Sequence, residues 1–283
     1  MTVNTNVAVI TGAAGGIGLA LAKACASKGM RVVMADIANT ALTYEVAQLK
    51  ASTGADVLGV VCDVSKRCDV EQLAEKTYDR FNQVDLLINN AGVSGPLAPF
   101  WEISTEQVHH VLDVNLYGVI HGVQVFLPLM FQQKSRSHLV NMASFYGLCS
   151  GSQMAAYAMS KHAIVALSES LYFDLKRLNK PIDCSVVCPS FANTQLLANS
   201  APQSSDKLHT LVSALMERSR PAADIADYIL REVDNKTFYI LPDKEVKDYC
   251  EQRTRAIIHQ SPPHEHSLEK IIATLSRRAG ALE

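Results

Sequence analysis

The stretch that decides the fold runs from residue 7 to residue 29, VAVITGAAGGIGLALAKACASKG. Its opening VAVIT reads as a strand, the glycines that follow as a turn, and the apolar remainder as a helix. A dinucleotide pyrophosphate needs this order. Glycines let the backbone come close, and a helix N-terminus offers unpaired N–H groups and a partial positive charge. Gly12, Gly16 and Gly18 give the spacing G-x-x-x-G-x-G, one residue wider than the commonest dinucleotide fingerprint. The same glycines could serve only to pack a helix on a strand, so the next strand has to decide. That strand, RVVMAD (31–36), ends in Asp36, 18 residues after Gly18, close to where an acidic residue meets the adenosine ribose. A carboxylate there accepts hydrogen bonds from both ribose hydroxyls and repels a 2′-phosphate. Ile37 follows, and no Arg or Lys stands between the glycines, so the pattern favours NAD(H) over NADP(H).

Working outward, short apolar runs at 7–11, 31–36, 57–64, 84–91, 138–144, 182–189 and 237–242 read as seven strands. Most are continuously apolar rather than alternating, as parallel strands covered on both faces should be. Helix-length segments at 16–28, 40–51, 66–81, 104–133, 153–179 and 221–234 separate them. Strand-then-helix repetition implies a doubly wound parallel sheet in a three-layer α/β/α sandwich. Residues 1–242 are expected to form one Rossmann-type domain holding the cofactor and substrate sites. Residues 243–283 follow as a C-terminal helical extension, with Leu268, Ile271, Ile272 and Leu275 on one face of a terminal helix.

Composition narrows the function. Of 283 residues, 48% are hydrophobic and 19% charged, as in a globular chain with a large core, and the net charge of −2 offers nothing to nucleic acid or an anionic membrane. The seven cysteines have no CxxC or zinc-like spacing and are expected to be reduced and mostly buried. The start has no basic region and only a short apolar run, and no stretch approaches about 18 consecutive apolar residues. A soluble, cytoplasmic protein is expected. No metal is expected either: His109 and His110 lack a partner at metal spacing, and HEH (264–266) falls in a Pro-bounded loop.

The chemistry enters with YAMSK (157–161), which puts a phenol and an ammonium one helical turn apart. YFDLK (172–176) has the same spacing, so context must separate them. Tyr157 lies 13 residues after Ser144, at a strand end, whereas the residue 13 before Tyr172 is Met159, inside a helix. Tyr157 and Lys161 are therefore the functional pair. Lys161 at i+4 shares a helical face with Tyr157 and can favour its phenolate, since a free phenol with a pKa near 10 is a poor base at neutrality.

TGAAGGIG (11–18), CDV (62–64), NNAG (89–92), NLYG around Asn115, NMAS ending in Ser144, YAMSK and CPSFANT (188–194) occur in the order and spacing of the short-chain dehydrogenases/reductases. From about residue 6 to 242 the chain resembles the single-domain branch of that family. The resemblance implies a seven-stranded sheet of order 3-2-1-4-5-6-7 and a catalytic set of Asn115, Ser144, Tyr157 and Lys161. In that set Ser144 holds the substrate oxygen, Lys161 bonds the nicotinamide ribose, and Asn115 fixes a water that extends a proton relay. It implies NAD contacts from Gly12, Gly15, Gly16, Ile17, Gly18, Asp36 and Ile37. Further contacts would come from Asp63 and Val64 beside the adenine, Asn90, Ala91 and Gly92 beneath the cofactor, and Pro189 and Thr194 at the nicotinamide. Tyr157 would exchange the hydroxyl proton while hydride passes between a secondary-alcohol carbon and nicotinamide C4. Asn89 reads as a brace of the sheet. Ser190 departs from the family's usual glycine.

The substrate end draws on 94–101, 145–151 and the irregular stretch from Phe191 to about Arg220, which is long enough for a lid. These and nearby positions supply Phe100, Phe145, Tyr146, Met154, Phe191, Leu196 and Leu197, which would suit an apolar secondary alcohol or ketone. The long helices at 104–133 and 153–179 resemble those through which the family forms homodimers and homotetramers. Two other classes stay open: an epimerase or dehydratase that retains its nicotinamide, and a catalytically silent NAD-binding scaffold.

Overall fold

Seven parallel strands line up in the order β3-β2-β1-β4-β5-β6-β7 in a computed structural model that describes residues 6–190, 192–193, 210–214 and 219–279. They are Val7–Thr11 (β1), Arg31–Asp36 (β2), Val57–Val61 (β3), Leu86–Asn89 (β4), Ser137–Met142 (β5), Ile182–Val187 (β6) and Tyr239–Ile240 (β7). The order is the one the family resemblance implies. A separate two-residue ladder pairs Ala192–Asn193 with Arg220–Pro221. The direction of winding reverses between β1 and β4, and ligands of such sheets bind at the carboxyl ends of the strands beside that reversal.

Strand periodicity explains the layering. Val7 and Val9 of β1 join one buried cluster, with Val33 and Ala35 of β2 and Leu87 of β4, while Ala8, Ile10, Val32, Met34, Leu86 and Ile88 join a second. Successive side chains point to opposite faces, and both faces are buried, so these neighbouring positions are apolar alike. Helices Gly16–Ser27 (α1), Asn39–Thr53 (α2) and Ala222–Asp234 (α7) cover one face, and Arg67–Phe81 (α3), Gly118–Met130 (α5) and Ala155–Arg177 (α6) the other. Each fully buried Val, Leu or Ile contributes about 1.5–3 kcal/mol relative to exposure. Local signals set the ends: Gly54 and Asn82 close α2 and α3 in the left-handed conformation, at φ 68° and 57°.

The strand cores are shorter than the apolar runs, because β3, β4 and β6 leave the ladder where they enter the cleft. The expected helix 104–133 begins as Thr105–Leu112 (α4), capped by Ser104 and Gln107 in a capping box, then loosens into a π turn over Asp113–Tyr117 before α5. By length and composition, Thr105–Met130 would also pass for a membrane span. Its apolar residues Val119, Val123, Phe126, Leu127 and Met130 lie in the core beneath the sheet. Beyond residue 242 come two helices, Lys244–Ile258 (α8) and Ser267–Ala279 (α9). They bury Val246, Tyr249 and Ile272 in a third cluster that also holds Phe145, Tyr146 and Tyr157.

Candidate active site

A cleft of about 490 Å³ opens at the carboxyl ends of β1, β2, β4 and β5. Its glycine end is built by β1 and the first turn of α1. Gly12 has φ +65°, and a Cβ there would lie 2.8 Å from Ala91 Cα, so neither its conformation nor its space admits a side chain. Asn90 Nδ2 donates to Thr11 O and Gly12 O, and Thr11 Oγ1 accepts from Asn90 N and Ala91 N, which locks the turn to the end of β4. Gly15, Gly16 and Ile17 line the cleft, and a Cβ on Gly15 would meet open space. Gly18 has another task. A Cβ there would sit 2.1 Å from Gly12 O, so its bareness lets α1 cross the turn, and it does not line the cleft.

Asp36 holds the turn as well as facing the cleft. Its Oδ2 accepts from Ala14 N and its Oδ1 from Ala38 N, each at 2.9 Å. Each carboxylate oxygen keeps a second lone pair for a ligand. Ile37, Asp63 and Val64 continue this wall. Burial pushes the Asp63 carboxyl up, but hydrogen bonds from Ser65 and the neighbouring Lys66 outweigh it and hold it below the usual range. The floor is Asn90, Ala91 and Gly92. A Cβ on Gly92 would come 3.1 Å from Asn115 Oδ1 and 3.6 Å from Lys161 Nζ, filling the space over which the floor meets the reactive end.

At that end, Ser144 follows β5, and Tyr157 and Lys161 come from the first turns of α6; all three are buried and line the cleft. The Ser144 hydroxyl acts on the Tyr157 phenol and favours its anion. Lys161 Nζ donates to Met142 O at 3.0 Å and lies 5.5 Å from the Tyr157 ring centroid. Burial pushes Tyr157 up to about 12, with Ser144 opposing the shift, and burial pushes the Lys161 ammonium down to about 8. The pair Tyr172 and Lys176 has similar internal geometry, 6.0 Å from ammonium to ring, but both residues are exposed and Tyr172 packs on Phe173 and Phe238.

Asn115 is fully buried in the π turn and does not line the cleft. Its side chain is committed: Oδ1 accepts from Val93 N, and Nδ2 donates to Val93 O and Ser160 Oγ. Ser160 Oγ in turn donates to Tyr157 O, so Asn115 ties the loop that follows the floor to the helix of the phenol. Asn89 is the expected brace, donating to Asn141 Oδ1 at 2.9 Å.

The far end is apolar. Phe145, Tyr146, Met154 and Val212 line it; Phe100 is half exposed and does not. Pro189 and Ser190 line it too, and the backbone N–H of Ser190 donates to Asp243 Oδ2 at 2.8 Å. Thr194, Phe191, Leu196, Leu197 and most of the expected lid lie outside the described residues. Sequence reasoning missed His110, Val114 and Val93 as lining residues and Thr11 as the lock of the turn. His110 and Val114, four residues apart, share one helical side, a signal the floor glycine could have pointed to. Among the described residues no group of three or more His, Cys, Asp or Glu could hold a metal.

Comparison with known proteins agrees with this geometry. The short chain dehydrogenase family profile matches residues 6–205. A CLA biosynthesis dehydrogenase/reductase from Lactiplantibacillus plantarum is 33% identical over 280 residues, covering 93% of this chain and 96% of that protein. A 1-deoxy-11-beta-hydroxypentalenate dehydrogenase from Streptomyces avermitilis is 35% identical over 248 residues, covering 87% and 88%. A short chain dehydrogenase/reductase from Burkholderia phymatum, solved in complex with NAD, superposes with a TM-score of 0.88 at 36% identity, covering 94% of this chain and 99% of that one. The chain belongs to the short-chain dehydrogenase/reductase family, and it is an oxidoreductase of that family.

Proposed function

We propose that this protein is an NAD-dependent dehydrogenase that interconverts an apolar secondary alcohol and its ketone, with Tyr157 as general acid and base. The observation that carries the reading is the buried Ser144–Tyr157–Lys161 set at one end of a cleft whose other end combines a bare glycine turn with Asp36. A dinucleotide fits the residues present. The glycine turn offers backbone N–H groups to a pyrophosphate, Asp36 has lone pairs for ribose hydroxyls, and Gly92 leaves room above the floor. Lys161 is the one Lys or Arg among the described lining residues, which supports NAD over NADP, because nothing at the Asp36 wall would hold a 2′-phosphate. When bound, the oxidised dinucleotide supplies a hydride acceptor and a positive charge.

Ser144 and Tyr157 would grip the substrate oxygen together, with Tyr157 taking the hydroxyl proton in oxidation and returning it in reduction. Lys161 holds the cationic end of the set and would bond the nicotinamide ribose, and Pro189 would bound that side. Asn115 holds the phenol-bearing helix in register through Ser160. Phe145, Tyr146, Met154 and Val212 offer a substrate surface without charge, and one of the relatives named above is, by its printed name, a dehydrogenase of a hydroxylated compound, 1-deoxy-11-beta-hydroxypentalenate. Exposed Met159, Phe173 and Leu178 on and beside α6 support a homodimer or homotetramer, and seven free thiols support a reducing, cytoplasmic setting.

The test is a panel of secondary alcohols, sterols, diols and sugars with NAD⁺, following absorbance of the reduced cofactor. Turnover without net absorbance change would favour an epimerase or dehydratase, and no turnover a silent scaffold. Asp36→Ala should lower the kcat/KM preference for NAD over NADP by about tenfold, the worth of one charge-assisted hydrogen bond. An unchanged ratio would remove Asp36 from the ribose.

A further inference from the structure

The loop between Ser144 and Tyr157 is held from the far end of the chain. His266 is buried and stands directly before α9, where its backbone oxygen accepts from Lys270 N. Its Nδ1 lies 3.1 Å from Glu269 N and therefore caps the helix as an acceptor. A neutral ring that accepts at Nδ1 carries its proton on Nε2. That proton points to Ser150 O, 3.1 Å away. The ring also packs edge-on against Phe145 and tilted against Tyr249, at 5.9 and 4.9 Å between centroids.

One turn further, Glu269 Oε2 accepts from Ser152 N at 2.8 Å. A Cβ on Gly151 would lie 2.6 Å from that carboxylate oxygen and 3.1 Å from the Tyr146 hydroxyl, so helix, loop and Tyr146 meet at one point. The Tyr146 ring stands edge-on to the catalytic Tyr157 ring, 6.0 Å between centroids. The next loop residue, Gln153, has φ +64°, a conformation non-glycine residues rarely adopt, and the following Met154 lines the cleft. Two anchors more than a hundred positions along the chain thus hold residues 150–152, between the cleft-lining Tyr146 and Met154.

We infer that His266 and Glu269 are positioning residues for the substrate end: they clamp residues 150–152 and so set where Tyr146 and Met154 stand beside Tyr157. The kinetic part of this rests on the alcohol–ketone reading, whereas the clamp itself does not. His266→Asn separates the two tasks of the imidazole, because Asn is a strong helix cap but cannot reach Ser150 O. In the full-length protein, this variant should show faster amide hydrogen exchange over residues 146–156. Its KM for the alcohol should rise about fivefold, the size of one lost buried hydrogen bond, with the dissociation constant for NAD unchanged. Glu269→Ala should repeat both effects, and Glu269→Gln, which keeps an acceptor for Ser152 N, should restore them. Unchanged exchange overturns the clamp whether or not any alcohol is turned over. Faster exchange with an unchanged KM, or a parallel loss of NAD affinity, overturns the positioning role. If the wild-type chain oxidises no alcohol, the proposed activity fails while the exchange result still judges the clamp.

Discussion

At the scale of residues, two buried groups of opposite tendency define the reactive end. Tyr157 is pushed up to about 12 and Lys161 down to about 8, both by loss of solvation. On the proposed mechanism, a phenol protonated at neutral pH suits ketone reduction, and oxidation would draw on the small phenolate fraction. If Tyr157 is the acid and base, alcohol oxidation should accordingly rise between about pH 7 and pH 10 while ketone reduction, which uses the protonated phenol, stays nearly level, as kcat/KM profiles in both directions will show. Tyr157→Phe should lower kcat by about 10²–10⁴-fold and leave NAD affinity nearly unchanged in a fluorescence titration. Retained turnover in that variant would disqualify the phenol as base. Tyr157 was legible because its partners are local or fixed by spacing: Lys161 one turn on, Ser144 at a strand end. Thr11 and His266 were not, since a hydroxyl or imidazole shows its task only through distant partners, here Asn90 and Ser150.

At the scale of elements, the strands could be read from continuous apolar runs, because both sheet faces are buried, whereas their order came from the family resemblance alone. The single long helix at 104–133 could not be read as three pieces. Its apolar period continues through the π turn, and what breaks the period is the pair of contacts Asn115 makes with Val93. The same stretch offers a sharp test of packing. Gly122 of α5 crosses β4 so closely that a Cβ would lie 2.1 Å from Asn89 Oδ1. Asn89 cannot retreat easily, because it donates to Asn141, which donates to Ser168 Oγ. Overpacking costs about 1–3 kcal/mol, and a broken buried amide pair costs a similar amount. Alanine's better helix propensity offsets about 1 kcal/mol of this. Gly122→Ala should therefore lose about 2 kcal/mol, read as a lower urea midpoint. Gly118→Ala, whose Cβ would meet a Val64 methyl at 2.8 Å, should lose less because that side chain can turn. An equal or higher midpoint for Gly122→Ala would contradict the close crossing.

At the scale of the whole molecule, a site assembled from both ends of the chain shares one core, and its acid stability hinges on a group outside that site. His138 of β5 is buried, and its Nε2 lies 2.7 Å from Ser185 Oγ on β6. Ser185 gives its own proton to Thr237 O, just before β7, at 2.6 Å, so the imidazole must be the donor, with its proton on Nε2. This chain ties the three outermost strands of that edge together. Burial lowers His138 from 6.5 to about 4; Asp183 and Asp234 oppose the shift and Lys236 adds to it. The folded-state pKa is depressed, so the neutral ring is the stable form. The corresponding stability is complete above about pH 6.5, declines as the unfolded chain alone takes up the proton, and is lost by about pH 4. A shift of this size corresponds to about 3 kcal/mol. His138→Gln keeps a donor for Ser185 without a titrating group. Urea midpoints measured between pH 7 and about pH 4 should fall less steeply for this variant than for the wild type, by about one proton in the slope. Parallel slopes would mean that His138 takes up its proton equally well folded and unfolded, and that the strap across β5, β6 and β7 tolerates a charged ring.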